Sequence, residues 1–243
     1  FVGHEMYRLY GYGYKRAPQG AYFTDENGNK VDCSGMKIIN REGYPSVDKA
    51  NLVDLGRVNP TWTGGMNMNF RIKNFNISMD FSAQVGGHAY STTNFMLSYE
   101  GRLKNSLAGR YDGMVVEGVN AISNADGSVT YSKNKTIFKS AQEYYNKYVW
   151  NRDNVEENTF STNFIKFKQL RVDYTLPRAI CKKTNFLESV SFGVYATNIF
   201  CITPFPQYDP ETATVSDADI YTGIETLSYP MTRQYGFNLK LSF

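Results

Sequence analysis

Apolar and polar residues alternate strictly over the last ten positions, Gln234-Tyr-Gly-Phe-Asn-Leu-Lys-Leu-Ser-Phe243. Tyr235, Phe237, Leu239, Leu241 and Phe243 fall on one side of an extended chain, and Gln234, Gly236, Asn238, Lys240 and Ser242 on the other. The run matches the ~9–11 residues that a tilted strand needs to cross hydrocarbon. A second alternating region spans Met66 to Val85. Met66, Met68, Phe70 and Ile72 share a phase, as do Phe75, Ile77, Met79, Phe81, Ala83 and Val85. The phase jumps across Lys73-Asn74, which predicts a two-residue hairpin that keeps both apolar sets on one face. Leu170, Val172, Tyr174 and Leu176 define a strand over Phe164–Leu176. Ile165 and Phe167 are out of phase with it, so a bulge is expected near Lys168-Gln169. Val190, Phe192, Val194 and Ala196 predict a strand running to about Ile202. Tyr10, Tyr12 and Tyr14 mark another between Arg8 and Arg16.

These six strands are separated by long stretches without a period: 17–61, 88–161 and 203–228. One short helix is expected over Ala141–Val149, with Ser140 as cap and Glu143 completing a capping box. Asp25-Glu-Asn-Gly-Asn-Lys-Val-Asp32 resembles half a calcium loop. It lacks the glycine at the sixth position and the glutamate at the twelfth that this motif needs, so a polar Asn-Gly turn is the expectation. Long and short connections alternate, as in outer-membrane barrels with long loops on one side and short turns on the other. The turns at Lys73-Asn74 and Pro177–Glu188 fall on the short side. The expected fold is therefore an all-β, antiparallel transmembrane barrel. Six strands are too few to close one, and open edges in lipid would leave backbone groups unpaired. The expectation is that residues 1–243 form the closing segment of a longer barrel, with the earlier strands lying upstream. The absence of an initiator Met and of a leader at Phe1 fits that reading. The alternative is a surface-exposed β-sandwich carbohydrate-binding module.

Composition narrows the chemistry. Aromatics make up 15% of 243 residues, with 19 Tyr and 16 Phe, which suits strands and interfacial belts; Trp62 and Tyr174 are belt candidates. Mean hydropathy is −0.45, as expected when every second strand residue faces a polar interior. No apolar run reaches the length of a transmembrane helix. The net charge of +3 implies no nucleic acid. Cys33, Cys181 and Cys201 lack metal spacing and read as incidental thiols, with a pairing of Cys33 left open. Only His4 and His88 are present, no nucleophile elbow occurs, and Glu156-Glu157 reads as solvated. No enzyme, metal or cofactor is expected.

Several motifs resemble the SusC-like TonB-dependent outer-membrane transporters (the SusC/RagA family) of Bacteroidetes-type bacteria. They are Asn59-Pro-Thr-Trp-Thr-Gly-Gly65 with Phe70-Arg-Ile-Lys-Asn-Phe75, then Phe164 to Pro177, then Asn198-Ile-Phe200, then Asp209-Pro-Glu211. Their order and spacing agree from 59 to 243. Ala196-Thr197 departs from the family's commoner Gly-Arg pair. Residues 1–58 fit loosely through Tyr10–Tyr14. The resemblance implies a plugged barrel of about 22 strands in the Gram-negative outer membrane. It also implies a SusD-like surface lipoprotein as lid, TonB engaged through the amino-terminal part, and an oligosaccharide or peptide as cargo. Trp150, Phe205, Tyr208 and Tyr221 are candidate stacking residues, and Asp209 and Glu211 candidate acceptors; the competing reading is that they shape loops. Gln234, Gly236, Leu239, Leu241 and Phe243 resemble the terminal signal read by the barrel-assembly machinery.

Overall fold

A computed structural model describes all residues except 1, 2, 4, 150–152, 185, 207, 208, 214–222 and 228. Seven strands of seven or more residues stand out among the described residues: β1 (Arg8–Tyr14), β2 (Val47–Arg57), β3 (Trp62–Ile72), β4 (Phe75–Val85), β5 (Phe164–Thr175), β6 (Ser189–Ile202) and β7 (Gln234–Ser242). The chain divides into two compact units. One comprises 1–56, 90–160 and 223–227, the other 57–89, 161–222 and 228–243.

The second unit is built on one antiparallel sheet in the order β7-β6-β5-β4-β3. The predicted hairpin is present: Ile72 pairs with Phe75, and Lys73 takes a φ of 53° in the turn. The predicted bulge is present too, since the register of β5 shifts between Phe167 and Gln169 against both neighbours. β3 begins at Trp62 rather than Met66, because Trp62-Thr-Gly-Gly65 pairs with β4 without alternating. The connection 177–188 is not an open turn. It holds a helical turn, Arg178–Cys181, followed by a 3-10 turn.

This sheet buries little of its apolar surface. Phe237 is 84% exposed, Tyr235 71% and Leu239 61%. A sandwich would pack a second sheet about 10 Å away over such a face, and the degree of exposure shows that nothing described does so. Among the described residues no helix is long and apolar enough to cross a membrane.

The other unit corrects the reading of 17–61 and 88–161 as unstructured. β2 lies inside the first stretch and pairs with β1, with Arg8 hydrogen-bonded to Asp54 at 2.6 Å. Its sequence hides it: Asp48, Asn51 and Asp54 interrupt both faces, so no oily stripe forms. Tyr22–Thr24 and Lys30–Asp32 make a small hairpin. Asp25 accepts from the Asn27 and Asn29 amides at 2.9 and 2.8 Å, and Gly28 takes φ 83°. The calcium-like run is therefore a polar turn held by its own aspartate. A second hairpin, Val119–Ser123 with Val129–Lys133, closes over Asn124 to Gly127.

Apolar cores hold this unit. Ile39, Tyr44, Val116 and Phe138 form one cluster, and Tyr44 stacks on Tyr148 at 4.6 Å. Ala17, Phe23, Cys33 and Val119 form another, and Cys33, Cys181 and Cys201 form no disulfide with one another. Helix α1 (Thr92–Tyr99) is capped by Ser91. Its first turn also donates to the buried Glu225 through Thr93 N and Oγ1, at 3.1 and 2.6 Å. The helix expected over 141–149 is α-helical only to Glu143 and π-helical from Tyr144 to Val149. Ser140 does cap it, accepting from Glu143 N at 3.1 Å. The return half of the capping box is replaced by Tyr44. Its hydroxyl accepts from Ser140 N at 3.3 Å and donates to Glu143 Oε2 at 3.1 Å. Glu156-Glu157 is half-buried and bonded rather than freely solvated: Tyr14 donates to Glu156 through its amide and to Glu157 through its hydroxyl, each at 2.9 Å. Burial pushes the Glu157 carboxyl up, against the pull of Lys37 and the Tyr14 hydroxyl.

Candidate functional site

The register of the five-stranded sheet sorts its residues into two faces. One level carries Phe70, Ile77, Val172, Val194 and Phe237 across the five strands. The next carries Ile72, Phe75, Tyr174, Phe192 and Leu239. On the three central strands, rings ladder at two heights. Phe75, Tyr174 and Phe192 follow one another at 4.7 and 5.5 Å, and Phe81, Phe167 and Phe200 at 4.4 and 5.7 Å. Between these ladders the central strands present Ile77, Met79, Leu170, Val172, Val194 and Ala196. An aliphatic band between aromatic rows is the outward surface of a membrane barrel. Tyr174 sits in one ladder as a belt residue would, and Trp62 is half exposed.

The opposite face is polar. Asn67 bonds Asp80. Arg171 holds Asp173 with two hydrogen bonds, at 2.7 and 3.1 Å. Asn238, with its amide turned to satisfy both neighbours, donates to Gly193 O and accepts from Arg171 at 3.1 Å. Tyr195 pairs with Gly236, and its ring covers that glycine. A Cβ at Gly236 would stand 2.7 Å from Tyr195 Cε1 and nearer still to Cζ and Oη. Of the five residues resembling an assembly signal, Gln234 and Gly236 thus share the polar face. Leu239, Leu241 and Phe243 are exposed, and Phe243 stacks on Phe186 at 5.4 Å.

Near Phe200 the chain is tied down. Asn198 takes φ 52°, a left-handed conformation that asparagine tolerates better than most residues. Its amide donates to Thr232 O at 2.9 Å, and Arg233 donates to its carbonyl at 3.3 Å. The motif asparagine therefore fixes the approach to β7.

Asp209 and Glu211 are held against the sheet by ion pairs. Asp209, Pro210 and Glu211 take the cap, first and second positions of the turn Pro210–Ala213, and Glu211 N donates to Asp209 Oδ1 at 3.0 Å. Asp209 pairs with Lys166, both nearly buried. Glu211 pairs with Lys166 at 3.2 Å and with Lys168 at 2.5 Å. Burial pushes the Glu211 carboxyl up, and the two lysines more than offset it, leaving it below the ordinary value. Phe205 is 3% exposed, and its amide donates to Thr203 Oγ1 at 3.0 Å. A pocket of about 320 Å³ lies here, lined by Lys166, Phe200, Cys201, Phe205, Asp209 and Arg233 among others.

Of the candidate cargo residues, the structure brings Phe205, Asp209 and Glu211 into this one cluster. Their charges are already matched by lysine and the ring is already packed. Trp150, Tyr208 and Tyr221 lie outside the described residues. The two lysines escaped the sequence reading because their acids lie 43 residues away. Their one local signal is a pair of cations beside the bulge in an otherwise apolar strand start.

No protein-family model matches the chain. Among curated proteins it is similar to TonB-dependent receptor P3 of Formosa agariphila, at 25% identity over 248 aligned residues, covering 99% of this chain and 22% of the receptor. Among solved structures it resembles the RagAB peptide importer. The TM-score is 0.59 in the closed-closed state, at 17% identity over 97% of this chain and 23% of that one. It is 0.55 in the open-open state, at 14% identity and 22% of that chain. The chain spans less than a quarter of the length of these relatives. At such identities the likeness to the solved structures is one of fold.

Proposed function

We propose that this chain, which is similar to a TonB-dependent receptor and shares the fold of the RagAB importer, forms part of the wall and outer loops of a SusC/RagA-like TonB-dependent nutrient importer. The observation that carries this reading is the two-faced sheet. Its exposed aliphatic band suits lipid, and its ion-paired opposite face suits a wet lumen. The curated relative is named a TonB-dependent receptor, and the solved structure is described as a peptide importer.

In this reading residues 1–243 are the closing part of the barrel, and the plug and the earlier strands belong to the rest of the polypeptide. TonB engages that other part. A SusD-like lipoprotein covers the loops, and the cargo is a peptide or an oligosaccharide. The description of RagAB as a peptide importer favours peptide. Gln234, Gly236, Leu239, Leu241 and Phe243 serve as the assembly signal. Asp209 and Glu211 shape the loop by anchoring the turn Pro210–Ala213 to β5, and cargo contact falls to Trp150, Tyr208 and Tyr221.

The test uses the intact polypeptide. It should require detergent and migrate faster on gels before boiling than after. Deleting its gene should abolish growth on short peptides as sole nitrogen source, with restoration by the wild-type copy. A protein that is soluble without detergent and shows no heat-dependent mobility would sink the reading.

A further inference from the structure

The unit that holds α1 contains a polar groove of about 760 Å³, within the size range of small-ligand sites. Its walls include Tyr99, Glu100, Arg110, Lys139, Gln142 and Asn146, with the buried Ser98 beneath. We propose that this groove is a peptide subsite in which Arg110 recognises a free carboxylate; the proposal rests on the import reading above.

Arg110 is set in place before any ligand arrives. Its Nε donates to Ser106 O at 2.7 Å, and its Nη2 to Gly101 O at 2.7 Å and to Ser106 Oγ at 2.6 Å. Among the described residues no carboxylate pairs with it, and Nη1 is left over from that bonding. The turn around it is fitted to the guanidinium. Gly101 sits at φ 68°, and a Cβ there would stand 2.9 Å from Nη2. The Tyr145 hydroxyl lies 3.0 and 2.8 Å from the Asn105 and Ala108 carbonyls, which secures the other side of the turn.

A guanidinium held rigid and without an acid partner is a preorganised carboxylate receptor. Lys139 offsets the charge of Glu100 in the same lining, which leaves the groove one net positive charge. Gln142 and Asn146 each offer a donor and an acceptor, the pattern a peptide bond presents. Tyr99 is half exposed at the groove and gives a side chain a ring to lie on. Ser98 supplies an independent sign of a missing polar partner: its Oγ is buried and has no hydrogen-bond partner, a situation that is costly unless water or ligand meets it.

The test is calorimetric titration of the intact detergent-solubilised protein with tetra-alanine as the free acid, with its C-terminal amide, and with trigalacturonate. The free acid should bind about tenfold or more tightly than the amide, the range for a hydrogen bond to a charged group. Arg110→Gln should erase that difference while heat-dependent gel mobility stays unchanged. Gln142→Ala/Asn146→Ala should weaken acid and amide alike. Equal binding of acid and amide, no binding of either, or an Arg110→Gln protein that still discriminates would overturn the subsite. Binding of trigalacturonate in preference to the peptide would overturn the peptide assignment. These outcomes leave the importer reading intact, because loss of heat-dependent mobility, not loss of carboxylate discrimination, is what overturns that.

Discussion

The ring of Tyr195 occupies the space above Gly236 that a side chain would need. The two residues face each other across β6 and β7, so the ring fixes which residue of β7 can lie opposite. A one-residue slip would place Tyr235 or Phe237 under that ring and turn the oily face inward. Gly236→Ala should therefore cost about 1–3 kcal/mol, as overpacking does. Tyr195→Ala combined with Gly236→Ala should recover part of it. The check is the folded fraction by gel mobility across a urea series in lipid vesicles; equal losses in the single and double variants would refute the fit.

Leu239 sits on the exposed apolar face beside Phe192. Leu239→Asp should lower stability by roughly 2–4 kcal/mol if it lies at mid-membrane, and it should reduce assembled protein at the surface. Lys240→Gln, on the opposite face, should leave surface yield unchanged.

Lys166 and Asp209 are a nearly buried pair. Removing one partner of such a pair costs about 3–5 kcal/mol because the other charge is stranded. Lys166→Met should release 203–213 and expose it to protease. Lys166→Met with Asp209→Leu should protect it again, and limited proteolysis followed by mass spectrometry reads both.

Glu211 has a depressed carboxyl value in the folded state. Its contribution to holding the loop is thus present above the ordinary carboxylate value, ~4.3, and is lost as pH falls through the lower folded value. Cleavage within 203–213 by an acid-active protease should rise over that interval. Glu211→Gln should flatten the profile.

What the sequence made legible depended on how the wall meets its surroundings. Where lipid covers one face and water the other, period two is enforced, so β4, the β3–β4 turn, the bulge at Lys168 and β7 could be read directly. β2 carries charge on both faces and gave no signal. The strands and helices between 90 and 160 are held by distant partners: Tyr44 completes the cap at Ser140 from 96 residues away, and Glu225 meets α1 from 132 away. The anchor at Asp209 was half visible, since Asp-Pro-Glu announces a capped turn, but no local spacing ties it to Lys166.

The two ring ladders give the wall a built-in ruler. Phe75 and Phe81 are six residues apart on one strand, or ~20 Å at about 3.4 Å per residue, and less once the strand tilts. A bilayer with longer acyl chains would have to thin beside this segment or force it to stand more upright. The protein's yield on refolding into vesicles should accordingly peak with short-chain lipids and fall as the chains lengthen.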